Sequence, residues 1–254
     1  MFKNLFIRVP VERLARETPR LLKLKAGPEV YIRAEKLKEF TPKTIREFAG
    51  LLAAFPGHTI HAPFMDVWPG AADADMRRLS LEHMQKVMAI AAAWKSFLVV
   101  MHFNYDPIYY SQHFRQWLER AAQFYQTLLQ EDDGPLIALE NIAEATPYIA
   151  LQLMEKVDRP RLIHCFDFGH HHVFARIPCA EWLFYLNPRR HIHFHLHDNF
   201  GNDDEHLPLG QGTIDWAAAK AAINGLDCPF SITLEPHSND ILRAAAVNFK
   251  KIFL

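Results

Sequence analysis

Acidic residues and histidines recur at the ends of short apolar segments in this 254-residue chain. Carboxylate oxygens and imidazole nitrogens, without cysteine thiolates, are ligands that suit Zn, Mn, Co or Fe. So many acids with few cations among them would repel one another in a low-dielectric site unless a divalent cation lay between them. We therefore predict a divalent metal (Mn, Zn or Co) as cofactor, near the segment ends His61, His102, Glu140, Asp167, His195 and Glu235.

Two further segments carry residues of the same kinds. The sequence GHHH places His170 three residues beyond Asp167, and DNFGNDDEHLPLGQG contains Asp204 and His206. Because the candidates come from widely separated segments and not from closely spaced Cys and His, the pattern favours a catalytic site over a structural zinc site. The expected additional metal ligands, or groups that orient the ligands, are His61, His102, His170, Asp204 and His206.

The elements that must position these residues alternate regularly along the chain. Short β-rich segments, each followed by an amphipathic stretch, cover 5–9, 29–33, 58–62, 97–103, 136–140, 162–167, 191–197 and 230–235. Each amphipathic helix is the crossover that neighbouring parallel strands require. The pattern predicts an α/β fold, a single (β/α)8 TIM barrel over residues 1–254, with its chemistry at the carboxyl ends of the strands. An open doubly wound sheet is the alternative, but no Gly-rich phosphate loop follows the first segment, and we expect no nucleotide cofactor.

Alternation along each strand predicts which side chains face the barrel interior. If Asp167 points inward, Cys165 does too, and His164 faces the helices. The seventh segment is unusual because His191, His193, His195 and His197 all fall on one face. The pattern leaves the roles of His193 and His197 open, together with those of His171 and His172.

Composition limits the partners. Lys and Arg number 28 against 29 Asp and Glu, so the net charge is -1 and gives no support to a nucleic-acid-binding surface. The three cysteines show no CxxC spacing, and the N-terminal segment has no apolar stretch long enough for a signal peptide or membrane span. We therefore expect a cytoplasmic protein with a small-molecule substrate and no membrane or nucleic-acid partner. Oligomer formation remains open.

Seven motifs resemble those of the xylose-isomerase-like TIM-barrel superfamily, specifically its sugar phosphate isomerase/epimerase branch, which is related to endonuclease IV. They are HAPF (61–64), MHFN (101–104), LEN (139–141), DFGH (167–170), HLHDN (195–199), DEHLPLGQG (204–212) and TLEPH (233–237). The resemblance to the epimerase branch implies a metal held by Glu140, Asp167, His195 and Glu235. It also implies catalysis by Glu140 and Glu235, which transfer a proton between adjacent carbons of a small sugar, sugar phosphate or polyol.

A second branch of the superfamily gives an alternative function. Endonuclease IV builds a trinuclear zinc cluster, and its pattern matches His61, His102, Glu140, Asp167, His170, His195, Asp204, His206 and Glu235, which implies a zinc phosphodiesterase such as an AP endonuclease. Acids and amides in the expected mouth loops, where phosphate contacts would need Lys and Arg, favour the isomerase. A barrel that binds a metal and a ligand without turnover is a third possibility.

Aromatic residues in the same loops suggest a wall for a sugar-sized ligand, formed by Trp68, Phe103, Tyr105 and Phe200. The substrate-binding residues that we expect are Trp68, Phe103, Asn141 and His237. The substrate, the native metal and the number of metal ions do not follow from the sequence.

Overall fold

The computed structural model of the chain describes residues 4–131, 133–186, 190–236 and 239–253. Parallel strands form one closed barrel, in which each strand pairs with its neighbours in chain order and the first pairs with the last. The strands are β1 (Leu5–Pro10), β2 (Gly27–Tyr31), β3 (Thr59–His61), β4 (Leu98–His102), β5 (Leu136–Glu140), β6 (Leu162–Asp167), β7 (Ile192–Leu196) and β8 (Phe230–Leu234). The predicted (β/α)8 barrel is therefore confirmed.

Helices cover the outside of the barrel. The α-helices are α1 (Leu14–Leu24), α2 (Pro42–Leu52), α3 (Ala74–Trp94), α4 (Pro107–Tyr110), α5 (Phe114–Leu128), α6 (Tyr148–Val157), α7 (Phe168–Phe174), α8 (Cys179–Tyr185), α9 (Trp216–Asn224) and α10 (Asn239–Phe253). Short 3₁₀ helices cover Val11–Arg13, Ala34–Glu39 and Ser111–His113. Within the described ranges, no helix is long and apolar enough to cross a membrane.

Local sequence signals fix where several helices begin. The side chains of Thr41 and Asp73 cap α2 and α3, and Asp215 accepts hydrogen bonds from the first backbone amides of α9. Such caps satisfy backbone N–H groups that have no partner inside the helix. Each cap precedes the amphipathic stretch that covers the barrel, so the crossovers start close to the positions that the sequence pattern indicates.

Apolar side chains fill both the barrel and the layer around it. Inside the barrel, Leu98, Val100, Ala138, Ile163 and Cys165 form a buried cluster below the strand ends. Outside it, two larger clusters join the strands to the helices. Apolar side chains thus fill this part of the interior, and the acids and histidines of the motifs lie towards the carboxyl ends of the strands, where barrels of this type place their chemistry.

Strand register brings the predicted site residues to one level of the barrel. His102 of β4 lies opposite Glu140 of β5, and Asp167 of β6 lies opposite His195 of β7. Parallel strands in register place these side chains side by side around the barrel axis. Glu235 follows directly after β8 and closes the ring from the other side.

Candidate metal centre

Four buried residues converge at the centre of the barrel mouth. His195 Nδ1 lies 3.2 Å from Glu140 Oε1, 3.4 Å from Glu235 Oε1 and 3.8 Å from Asp167 Oδ2. One ligand atom from each of the four lies within 4.8 Å of the others, which is the spacing of atoms around a single ion. We call Glu140, Asp167, His195 and Glu235 the central group.

The atoms that converge in the central group make no hydrogen bonds. Glu140 Oε1, Asp167 Oδ2, His195 Nδ1 and Glu235 Oε1 are each buried without a hydrogen-bond partner among the described residues. A buried polar atom left unsatisfied costs about 1–3 kcal/mol, so four together call for an explanation. A divalent cation bound between them would satisfy all four, and the residues present therefore fit a metal.

A flanking group on β3, β4 and β5 shares Glu140 with the central group. Oε2 of Glu140 lies 3.0 Å from His102 Nε2, which donates a hydrogen bond to it, and 3.3 Å from His61 Nε2. His61, His102 and Glu140 form a separate set that could hold a metal. The two imidazoles orient the glutamate, because both lie against its second oxygen.

A second flanking group lies above β6 and β7. Asp204 Oδ2 is 3.0 Å from His206 Nε2 and 3.3 Å from His170 Nε2, and Asp204 Oδ1 is 3.6 Å from His197 Nε2. His197 also places Nε2 3.1 Å from Asp167 Oδ1, which connects this group to the central one. The structure therefore brings together all nine residues that the sequence motifs suggested, and adds His197.

The loop that carries Asp204 and His206 is held by Asp198. Oδ2 of Asp198 accepts hydrogen bonds from Gly210 N (2.7 Å) and Trp216 Nε1 (2.8 Å), and an antiparallel bridge joins Asp198 to Leu207. His206 has φ of 51°, a left-handed conformation that costs a non-glycine residue energy. The hydrogen bonds of Asp198 hold the loop in place. The left-handed conformation at His206 then directs its side chain towards the barrel mouth.

Neighbouring charges set the protonation of the two glutamates. Burial alone would raise the pKa of Glu140, but the imidazoles of His195 and His102 outweigh burial and hold that pKa well below its usual range. Burial likewise opposes ionisation of Glu235, yet His195 and Arg8 lower its pKa to about 2. Both carboxyl groups are therefore anionic near neutral pH, as metal ligands must be.

Two charged residues of the site were missed by the sequence analysis. Glu29 of β2 is fully buried beneath His195, with Oε1 3.1 Å from His195 Nε2. Arg8 of β1 places Nε 3.5 Å from Glu235 Oε1 and stacks its guanidinium over Tyr31 at 4.4 Å. Both lie on strands without a recognised motif. Alternation would have placed Glu29 and Tyr31 on one face of β2, but only the barrel register shows that this face is inward.

The expected substrate-binding residues lie in different environments. Phe103 directly follows His102, so alternation turns its side chain towards the helices, where it packs edge-on against Trp117 and is 1% exposed. The structure therefore does not place Phe103 among the residues that could bind substrate in the barrel mouth. Asn141 accepts a hydrogen bond from Asp167 N (2.9 Å) and donates one to Asp167 O (3.1 Å), so its amide positions the metal-site aspartate. Trp68 is half-buried after β3, and His237 lies outside the described residues.

An aromatic surface borders the site, but it is formed mostly by residues other than the four aromatic residues expected from the sequence. Phe64 stacks on His102 with ring centroids 4.6 Å apart, and Tyr31 stacks on Phe64 at 6.0 Å. Tyr105, by contrast, packs edge-on against Trp117, and Phe200 is exposed. Tyr31 and Phe64 therefore form the aromatic side of the mouth next to β2 and β3.

Glu144, on the loop after β5, gives a prediction about stability and pH. Burial raises the pKa of Glu144 to about 7, although the hydrogen bond from Ile142 N (2.6 Å) opposes this. An unfolded glutamate titrates at about 4.3, so folding favours the protonated form, and the wild-type protein should lose stability as the pH rises from about 4.3 to about 7. Glu144→Gln should therefore be more stable than wild type at pH 8, by about 1–3 kcal/mol, and nearly unchanged at pH 4.

Urea unfolding at the two pH values measures this effect. Glu155→Gln, at an exposed position of α6, is the control for the loss of one negative charge. An equal change in the free energy of unfolding at pH 4 and pH 8 would show that Glu144 is not held protonated by the fold.

The closed barrel and the buried acids and imidazoles at its carboxyl-terminal mouth define a TIM-barrel protein with a candidate metal centre. The sequence profile described as "Xylose isomerase-like TIM barrel" matches residues 26–251, and the chain belongs to this family. The resemblance seen in the motifs is thereby confirmed at the level of the family.

Individual relatives support the same assignment. The chain is 32% identical over 167 residues to the uncharacterized protein MJ1311 of Methanocaldococcus jannaschii, a match that covers 62% of this chain and 56% of MJ1311. The TTHB071 protein from Thermus thermophilus, soaked with ZnCl2, superposes with a TM-score of 0.77 at 24% identity, over 98% of this chain and 97% of that one. A D-tagatose 3-epimerase-like protein gives 0.79 at 24% identity, over 98% and 95%. At this identity the two structures show a common fold.

Proposed function

We propose that this protein is a metal-dependent isomerase or epimerase of a small sugar, sugar phosphate or polyol. The observation that carries the proposal is the central group, in which four buried ligand atoms converge and none has a hydrogen-bond partner among the described residues. In the flanking groups, Glu140 Oε2 and Asp204 Oδ2 accept hydrogen bonds from His102 and His206, whereas Asp204 Oδ1 and His197 Nε2 are also buried without a hydrogen-bond partner among the described residues. The central group is the one in which every one of the four residues contributes such an atom, and we propose a single ion there as the principal occupancy.

The two glutamates of this group are the proposed acid and base. A divalent ion held there would act as a Lewis acid towards carbonyl and hydroxyl oxygens of the substrate. Glu140 is the last residue of β5, and Glu235 directly follows β8, so their carboxylates approach the substrate from different sides. One glutamate, as the anion, removes a proton from the carbon beside the carbonyl, which leaves an enediolate. The other glutamate first takes up a proton from solvent and then donates it to the enediolate, while the first releases its proton to solvent.

Other residues prepare the two carboxylates for this role. His102 and His61 engage the second oxygen of Glu140. Arg8 lies beside Oε1 of Glu235 and contributes positive charge on that side of the mouth. Tyr31 and Phe64 offer apolar ring surface for the carbon skeleton of a sugar, a common arrangement in small-molecule sites. The epimerase-like protein named above supports the substrate class by analogy of fold.

Solvent-hydrogen exchange tests the proposed reaction. The metal-loaded protein is incubated in deuterated water with a panel of ketoses, their phosphates and inososes, and deuterium at carbon is followed by NMR. We expect exchange next to the carbonyl of at least one compound, with loss of the activity when a chelator removes the metal. Tight binding of a panel compound without exchange would indicate a barrel that binds but does not turn over.

A second candidate function is phosphodiester hydrolysis at a site with more than one metal. The observation that favours it is that the central and flanking groups adjoin and together include all nine matched positions. Its substrate would be anionic, and a protein with a net charge of -1 is expected to bind DNA weakly. Efficient metal-dependent incision of an abasic duplex, without exchange into any sugar, would establish the second candidate over the first.

A further inference from the structure

One oxygen of Glu29, below the central group, accepts hydrogen bonds from three donors. Its Oε2 accepts hydrogen bonds from Thr59 Oγ1 (2.9 Å), Thr233 Oγ1 (2.8 Å) and His193 Nε2 (3.0 Å). Its Oε1 faces Nε2 of His195 at 3.1 Å. The carboxylate is 0% exposed and is surrounded on both oxygens by groups of β3, β7 and β8.

The two nitrogens of His195 face opposite surroundings. Nε2 points down to Glu29, whereas Nδ1 points up to the unsatisfied oxygens of Glu140 and Glu235. A neutral imidazole carries its proton on one nitrogen and has a lone pair on the other, and only the lone pair can bind a metal. The identity of the protonated nitrogen therefore decides whether His195 can serve as a ligand.

We infer that Glu29 is a positioning residue that keeps the proton of His195 on Nε2, so that Nδ1 presents its lone pair to the metal. An ionised carboxylate is purely an acceptor, so it pairs with an N–H and not with a lone pair. Nε2 of His195 and Oε1 of Glu29 lie 3.1 Å apart, and neither atom has a hydrogen-bond partner among the described residues, so the pairing that we infer would satisfy both. This inference rests on the metal site of the proposed function.

A polar column below Glu29 fixes the carboxylate in turn. His193 donates from Nε2 to Glu29, which leaves Nδ1 to accept a hydrogen bond from Ser231 Oγ at 2.7 Å. Ser231 Oγ accepts from His191 Nε2 at 2.8 Å, at the opposite end of the barrel. Each donor in this column points towards Glu29, so the column and the two threonines stabilise its ionised, acceptor-only form. The unusual run of histidines on one face of β7 is thereby explained.

The variant Glu29→Gln tests the inference. The amide keeps the shape of the side chain but can turn an N–H towards His195 Nε2, which favours the tautomer with the proton on Nδ1. Loss of a group that orients a metal-binding histidine typically weakens metal binding about 10–100-fold. Competition for zinc with a chromophoric chelator should show a loss of affinity in this range, with an unchanged circular dichroism spectrum. Glu155→Gln, the same chemical change at an exposed position of α6, is the matched control and should keep the wild-type zinc affinity.

A measurement on the wild-type protein makes the test independent of how the variant folds. In zinc-loaded protein labelled with ¹⁵N-histidine, His195 should show a proton on Nε2 and a zinc-bound Nδ1. Zinc bound through Nε2, or equal zinc affinity of wild type and Glu29→Gln, would overturn the inference and leave the proposed function standing. A wild-type protein that binds no zinc, manganese or cobalt would overturn the proposed function itself, and the inference with it.

Discussion

Glu140→Gln and Glu235→Gln are each expected to slow solvent-hydrogen exchange into the substrate by about 10²–10⁴-fold, the usual contribution of a positioned acid or base. Glutamine keeps an oxygen for the metal but cannot accept the substrate proton. Metal content should therefore fall much less than the exchange rate. Exchange followed by NMR, with bound metal measured on the same samples, gives both quantities.

The control for these two variants is Glu155→Gln, which makes the same chemical change at an exposed position of α6. It should retain the wild-type exchange rate. Wild-type exchange in Glu140→Gln and Glu235→Gln, with the metal retained, would rule out the two-base scheme.

Removal of the metal is expected to abolish exchange and to lower the thermal stability of the protein. Without a cation, the unsatisfied oxygens of the central group lie close together in a buried site, and none of them has a hydrogen-bond partner among the described residues. A ligand present at 100 times its Kd stabilises the folded state by about 2.7 kcal/mol. For a domain of this size that corresponds to a rise in Tm of about 5–10 °C on addition of metal to stripped protein.

Two aspartate variants locate this effect in the mouth. Asp167→Ala removes a ligand of the central group, because alanine offers no oxygen to the metal, and should eliminate most of the metal-induced rise in Tm. Asp204→Ala makes the same change in the second flanking group, where Asp204 contacts His206 and His170, and should retain the rise. If Asp204→Ala lost the rise and Asp167→Ala kept it, the principal metal would lie in the flanking group.

Much of the fold and many of the site residues could be predicted from the sequence. The apolar segments end in acids or imidazoles, and strand alternation with parallel register then brings side chains such as Glu140 and His195 to one level. Asp204 and His206 could be proposed because they share a loop with the motif HLHDN, although the turn made by His206 depends on the anchoring by Asp198, which the sequence pattern does not show.

Other features required three-dimensional information. Glu29 lies in the middle of β2 (GPEVY), with no acid or histidine at the strand end to mark its inward face. Its contacts with His193 and His195 join residues 164 and 166 positions apart in sequence, so no local spacing signals them. Phe103 follows the inward-facing His102 in the motif MHFN, and the motif suggested that both residues face the site. Alternation along the strand turns Phe103 outward instead, where it is 1% exposed.

The number of metal ions bound per chain tests the central claim most directly. Purified protein is stripped with a chelator, loaded with excess zinc or manganese, dialysed, and assayed by elemental analysis against protein concentration. The single-ion site predicts one tightly bound ion per chain, with the ion lost in Asp167→Ala and retained in Asp204→Ala. Three ions held with comparable affinity would contradict the single-metal isomerase and support the phosphodiesterase, and protein that retains no ion would contradict both.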